Sequence, residues 1–346
     1  MKQHEREYFI SRIRSGIYNL NIENKLVTIK TPTIEDEYFI NEKFKEGYER
    51  CLEDGIKTED DVLDWMRTRE LWTDKDDERE EGLVKDIDNL KKRIYENRHR
   101  FNLREQIRRG IRAGEKQLSE ILEKKTKYLN NSCEGIANIG KVAEFFKRCT
   151  YINNEPCNLD DLKIELISNH YYKALLLEKS IRELARNEPW RSVWVLRDSG
   201  AYSLFSNQDR QLSPDQKSLL IWSRMYDNVH ESPDCPSEEV INDDDMLDGW
   251  FSIQAGKRKD AIMESEVESK LSNSKIANAQ EVFLMADNKQ DAENINQMNT
   301  HQAKMIKKQR FNQLQKKGEM DQNQFQDERL KMGQRSHEQF RDKFRR

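Results

Sequence analysis

The chain has 346 residues, 36% of them charged and 35% hydrophobic, with 13 glycines, 6 prolines and a net charge of −4. With a mean hydropathy of −1.02, this polarity excludes one large compact globule and fits long solvated helices around one or two modest cores. The near-neutral balance excludes a global electrostatic pull toward nucleic acid or a membrane.

Met1 to Glu7 lead into no apolar run, and no span of about 20 apolar residues follows, so the reading is a soluble protein that is not exported. Residues 16–30 alternate in polarity on either side of Glu23-Asn24-Lys25 and predict a β-hairpin. No second strand pair is evident. An isolated hairpin is marginal in water, so this one must pack on helices or extend a partner's sheet.

Thr33 and Asp36 predict a capped helix to about Leu52, with Tyr38, Phe39, Phe44 and Tyr48 approximating one apolar face. Thr58 caps a short helix bearing Val62, Leu63, Trp65 and Met66, and the acidic stretch 74–81 is expected at the surface. Leu83, Ile87, Leu90 and Ile94 keep helical spacing, as do Ile107, Ile111, Leu118 and Leu122. A break between Asn97 and Asn102 would give an antiparallel pair in place of one rod.

Asn130-Asn131-Ser132 is a loop, and residues 133–230 read as helical. Ser213-Pro214-Asp215-Gln216 is a capping box with proline at the first helical position. Trp190, Trp194, Trp222 and Trp250 read as core anchors. From Ser237 onward there is no proline, no cysteine and no tryptophan except Trp250. The expected organisation is a hairpin and helical module over 1–130, a Trp-anchored helical domain over 131–256 and an extended polar arm over 257–346. The fold class is mainly α, with a small N-terminal β-hairpin packed on helices, a helical middle domain and a helical or partly disordered arm.

No catalytic, cofactor-binding or metal-binding residue is assigned. Phosphate-loop, dinucleotide-binding and nucleophile-elbow patterns are absent. The six histidines are scattered, and the five cysteines are widely spaced without a C-x-x-C, which fits reduced thiols better than a disulfide framework or zinc knuckle. Asp243, Asp244, Asp245 and Asp248 form the densest carboxylate cluster. They fail the EF-hand spacing and read as helix-start acids, with a divalent-metal role as the alternative.

Two basic segments stand out. Residues 91–112 carry Lys91, Lys92, Arg93, Arg98, Arg100, Arg104, Arg108, Arg109 and Arg112, a net +7, and are the nucleic-acid candidate. The alternative is a solvated helix face paired with the acids of 74–81. Residues 301–346 also carry net +7. There Met305, Ile306, Phe311, Leu314 and Phe325 are candidate partner-binding residues, since they could lay one helix face on a protein groove.

Asn187-Glu188-Pro189-Trp190-Arg191-Ser192, the stretch Lys217 to Asp227 and the stretch Ser232 to Asp245 resemble proteins from the tail modules of large tailed bacteriophages, as does the opening hairpin with Ile29-Lys30-Thr31-Pro32-Thr33. The resemblance implies a non-enzymatic role: a tail assembly chaperone, or a tail- or baseplate-associated factor. The implied partners are other phage structural or assembly proteins, in the host cytoplasm or on the virion. A nucleic-acid-binding protein using 91–112 and 301–346 is the alternative, and no membrane is expected.

Overall fold

In a computed structural model, residues 1–153, 155–156, 161–199, 203–207 and 209–271 are described. The chain divides into two compact units, Met1–Ala261 and Ile262–Arg346. Position 130 lies inside the first unit. Of the second, only 262–271 are described, as helix, so Met305, Ile306, Phe311, Leu314 and Phe325 fall outside the described residues.

The fold is mainly α with a small N-terminal hairpin packed on helices. The chain opens with α1 (Gln3–Ser15), β1 (Ile17–Ile22) and β2 (Lys25–Lys30). Then come α2 (Ile34–Glu53), α3 (Glu59–Thr68), α4 (Asp74–Glu96), α5 (Phe101–Leu129) and α6 (Cys133–Cys149). Short strands β3 (Thr150–Ile152) and β4 (Glu155–Pro156) lead to α7 (Asp161–Ala174), α8 (Glu178–Arg186) and α9 (Trp190–Val195). The first unit continues with α10 (Pro214–Glu231), α11 (Glu238–Ile241) and the start of α12 (Asp244–Leu271). No described helix is long and apolar enough to cross a membrane.

The hairpin turns on Glu23 and Asn24, whose φ values of 50° and 62° match a two-residue turn with both residues left-handed. Its buried face, Tyr18, Ile22, Val27 and Ile29, packs on Phe146, Ile164, Ile167 and Tyr171 of α6 and α7. The expectation of no further strand pair is corrected: β3 pairs with β2, Thr28 facing Tyr151, and β4 extends the sheet to the order β1-β2-β3-β4. Strands of three and two residues are too short to display alternation, so only pairing with the hairpin edge reveals them.

The capping boxes form as the sequence predicts. Thr33 Oγ1 accepts from the Asp36 amide at 3.1 Å, and Asp36 Oδ2 accepts from the Thr33 amide at 3.1 Å. The α2 face is not the one expected. Ile40 and Cys51 are buried, whereas Tyr38 and Phe39 are exposed. The reason is the partner: α2 packs on α6 where Gly47 meets Ala137, and a Cβ at Gly47 would lie 3.4 Å from the Ala137 Cα.

The main core joins α1, α8, α9, α10 and α12 through Ile10, Ile13, Leu184, Trp190, Leu219 and Trp250. Helix α1 is invisible to the apolar-run reading because its apolar residues stop at the short run Tyr8-Phe9-Ile10 and at Ile13, flanked by Glu7, Arg12 and Arg14. Three of the anchors, Trp190, Trp194 and Trp250, are buried, and the Trp190 Nε1 donates to Ser223 Oγ at 2.7 Å. Trp222 is only half-buried, with its ring beside a guanidinium. The Ser213 capping box also ties α10 to α1, since Gln216 Nε2 donates to the Ile13 carbonyl at 2.7 Å.

Helices α4 and α5 form the antiparallel pair, with the break at residues 97–100. Helix α12 crosses α4 at Gly249, where a Cβ would lie 2.1 Å from the Lys91 carbonyl oxygen. Replacing a helical glycine by alanine normally stabilises by about 1 kcal/mol. Here a backbone atom blocks the added carbon, so we expect Gly249→Ala to lower the melting temperature. Gly256→Ala, with open space around the new methyl, should raise it. Differential scanning calorimetry of the two variants checks the opposite signs.

Cys51, Cys133 and Cys149 are buried and Cys235 is exposed. Burial, with the nearby Asp36 charge, pushes the Cys149 thiol up to about 12. Because the thiolate is the reactive form, iodoacetamide at pH 8 should alkylate Cys235 and spare Cys149 until the protein is unfolded, as read by peptide mass spectrometry.

Candidate interaction sites

The acids of 243–248 and the basic residues of 91–112 meet in space. At the start of α12, Asp244 Oδ1 accepts from Arg186 Nη1 at 2.6 Å and lies 3.4 Å from Arg182 Nε. Asp248 Oδ1 accepts from Arg182 Nη2 at 2.7 Å, and its other oxygen accepts from Lys91 Nζ at 3.1 Å. Arg108 of α5 donates to Asp243, to Glu105 and, through Nε at 2.8 Å, to Asp245. Helices α4, α5 and α8 are thus held to the first turns of α12 by charge.

Arg182 is the most enclosed of these cations, at 4% exposure. Burial alone would lower its pKa. The hydrogen bond and charge of Asp248, with the charge of Asp244, outweigh that and raise it. Its guanidinium also lies 4.0 Å from the centre of the Trp222 ring. Arg108 and Arg186 are raised for the same reason, burial opposed and outweighed by their carboxylate partners.

The carboxylate cluster does begin a helix, as the sequence predicts, and Asp243 Oδ1 accepts from the Met246 amide at 3.2 Å. Its larger role is to neutralise arginines from distant segments. Among the described residues no three His, Cys, Asp or Glu side chains are placed to hold a metal ion.

The nine basic candidates divide into two groups. Lys91 and Arg108 belong to the hub, Lys92 pairs with Asp88 at 2.7 Å, and Arg104 reaches Glu239 at 3.9 Å and Met246 Sδ at 3.2 Å. The pairing with 74–81 offered as an alternative does not form. In an antiparallel hairpin that stretch lies opposite the far end of α5, where Asp76 and Glu80 meet Lys124 and Lys125 at 3.4 and 3.2 Å. The remaining five are Arg93, Arg98, Arg100, Arg109 and Arg112. None of them has a carboxylate partner among the described residues, although Arg98 Nη1 donates to the Tyr95 carbonyl at 3.4 Å.

A third feature was not selected from the sequence. On α6, Ile136, Ile139 and Val142 are all exposed, Ile139 at 65%. Ile139 and Val142 line an open groove of about 840 Å³ together with Leu129 and Ile164. The spacing of three residues puts the apolar side chains on one stripe. Further along the same stripe Phe146 and Cys149 are buried, while Ala137, on another side of the helix, meets Gly47 of α2. The apolar stripe of α6 is readable in the sequence, but which part of it stays open is not.

Removing partners from a buried arginine leaves an uncompensated charge, which costs on the order of 3–5 kcal/mol. The double variant Asp244→Asn/Asp248→Asn should therefore lower the melting temperature by roughly 6–20 °C, taking about 2–4 °C per kcal/mol for a unit of this size. Arg93→Gln, at an exposed unpaired site, should leave it within about 2 °C, since such surface changes stay near ±0.5 kcal/mol. Circular dichroism melts of the two proteins check the contrast.

In comparisons with protein-family models, curated proteins and solved structures, nothing matches this chain.

Proposed function

We propose that this chain is a non-enzymatic assembly protein that works by protein–protein contact. On the resemblance of its Asn187–Ser192 and Ser232–Asp245 segments, it acts in the tail module of a tailed bacteriophage. There it serves as a tail assembly chaperone or as a tail- or baseplate-associated factor, in the host cytoplasm or carried on the virion. Its partners are then other phage structural or assembly proteins.

The observation that carries the contact reading is the α6 stripe. Single exposed apolar residues are ordinary, but a row of three beside a concave, partly apolar groove is the form that receives an amphipathic helix. Glu59 and Glu165 stand on the groove's lining with Asn130, Asn138 and Ser168, which favours a partner helix with basic or polar flanks. Met305, Ile306, Phe311, Leu314 and Phe325 remain proposed as a second contact face, on sequence grounds alone.

The test is affinity capture from phage-infected cells with the full chain as bait, followed by mass spectrometry. Ile136→Asp/Ile139→Asp should lose the recovered tail proteins while keeping the wild-type melting temperature. Leu177→Asp, at an exposed leucine outside the groove's lining, should retain them. Recovery of no tail protein by the wild type overturns the phage reading. Equal recovery by both variants overturns the α6 groove as the contact.

A further inference from the structure

The tip of the α4–α5 hairpin carries more positive charge than its own fold neutralises. From Asn97 to Arg104 the chain carries Arg98, His99, Arg100 and Arg104 and no carboxylate. Helix α5 has no acidic residue in its first turn, whereas α2, α3 and α4 each open with three. The field of the α5 N-terminus is therefore left positive. Of the two acids flanking the tip, Glu105 is already bonded to Arg108, and only Glu96 remains free of an ion pair.

The hub sharpens this asymmetry. It takes up Lys91 and Arg108, which face α12, and leaves Arg93, Arg100, Arg109 and Arg112 exposed with no ion pair among the described residues. An unpaired surface arginine is cheap to keep, so its presence alone decides little. A group of four along the tip-proximal half of the hairpin, with an aromatic ring in solvent at its end, is more specific. Phe101 is 63% exposed at the first position of α5; it belongs to none of the buried clusters, and the Arg104 guanidinium lies 5.8 Å from its centroid.

We propose that this tip binds single-stranded nucleic acid, with Arg93, Arg100, Arg109 and Arg112 on the phosphates and Phe101 stacked on a base. Arg100 to Arg112 spans about 18 Å along α5 at 1.5 Å per residue. That length covers several successive phosphates of one strand. A planar guanidinium presents two donors to a phosphate at once. An exposed phenyl ring stacks any base, which gives affinity without sequence preference. An acidic protein would use the arginines equally well but would leave the exposed part of the Phe101 ring unstacked, so the ring is what favours nucleic acid.

The experiment is fluorescence anisotropy of a labelled single-stranded 20-mer with the full chain at 50 to 200 mM salt. Each arginine engaged on a single strand contributes about 0.7 to the slope of log K against log salt. Arg93→Gln/Arg100→Gln/Arg109→Gln/Arg112→Gln should therefore reduce that slope by about 3. Phe101→Ala should weaken binding roughly 5- to 100-fold with the slope unchanged. Both variants alter exposed side chains, and a wild-type melting curve confirms their fold. The basic segment 301–346 is present in every protein, so the difference between proteins reads the tip.

No binding by the wild type at 50 mM salt overturns the proposal. So does an unchanged slope in the fourfold variant. Polyglutamate that displaces the 20-mer at equal charge concentration, with no loss in Phe101→Ala, assigns the tip to an acidic protein instead.

Discussion

The architecture of the first unit depends on the neutralisation of one buried cation. Arg182 points from α8 into a region from which water is excluded, and a guanidinium cannot shed its charge there. A carboxylate must therefore reach it, and two do, Asp244 and Asp248, one helical turn apart on α12. That requirement fixes the rotation and height of α12 against α8. Once α12 is so placed, Asp248 also meets Lys91 of α4, and Asp243 and Asp245 meet Arg108 of α5. Gly249 then becomes obligatory, because the crossing brings α12 onto the α4 backbone at Lys91. The Trp222 ring covers the remaining open face of Arg182.

Such a hub specifies geometry more than it adds stability. Burying paired charges roughly balances desolvation against attraction, so the apolar clusters supply the net driving force. What the charges add is discrimination, since any other docking of α12 strands either an arginine or an aspartate. The same logic recurs at smaller scale in α10. Its capping box satisfies local amide groups and, through Gln216, also satisfies the last turn of α1. Polar groups that begin helices serve here as cross-links between them.

Much of the first unit is legible in the sequence where the signal is local. The hairpin, the capped starts at Thr33, Thr58 and Ser213, the break near Asn97 and the helical character of the chain all follow from residues within a few positions of one another. The candidate sites were legible only in part. The acids of 243–248 and the bases of 91–112 were visible as clusters, but each was read against its sequence neighbours. Their true partners lie 58 to 157 residues away, from Arg186 with Asp244 to Lys91 with Asp248. Trp222 looked like a core anchor because indole is usually buried, and a cation beside it is not visible from spacing.

The sequence by itself determined the helical class, the hairpin and its turn, and the positions at which helices begin, because hydrogen bonding and side-chain periodicity act over a turn or two. Tertiary structure alone decided three other matters. It decided that Thr150–Ile152 would become a strand, since a three-residue segment acquires that state only by pairing with the edge of β2. It decided which face of α2 would be covered, since that helix carries apolar residues on more than one side, and which stretch of the apolar stripe of α6 would stay open. Above all, it decided which arginines were neutralised and which remained in solvent. Charge is a property of composition, but pairing requires two groups within about 4 Å, and only the packed chain brings Asp244 and Asp248 to Arg182.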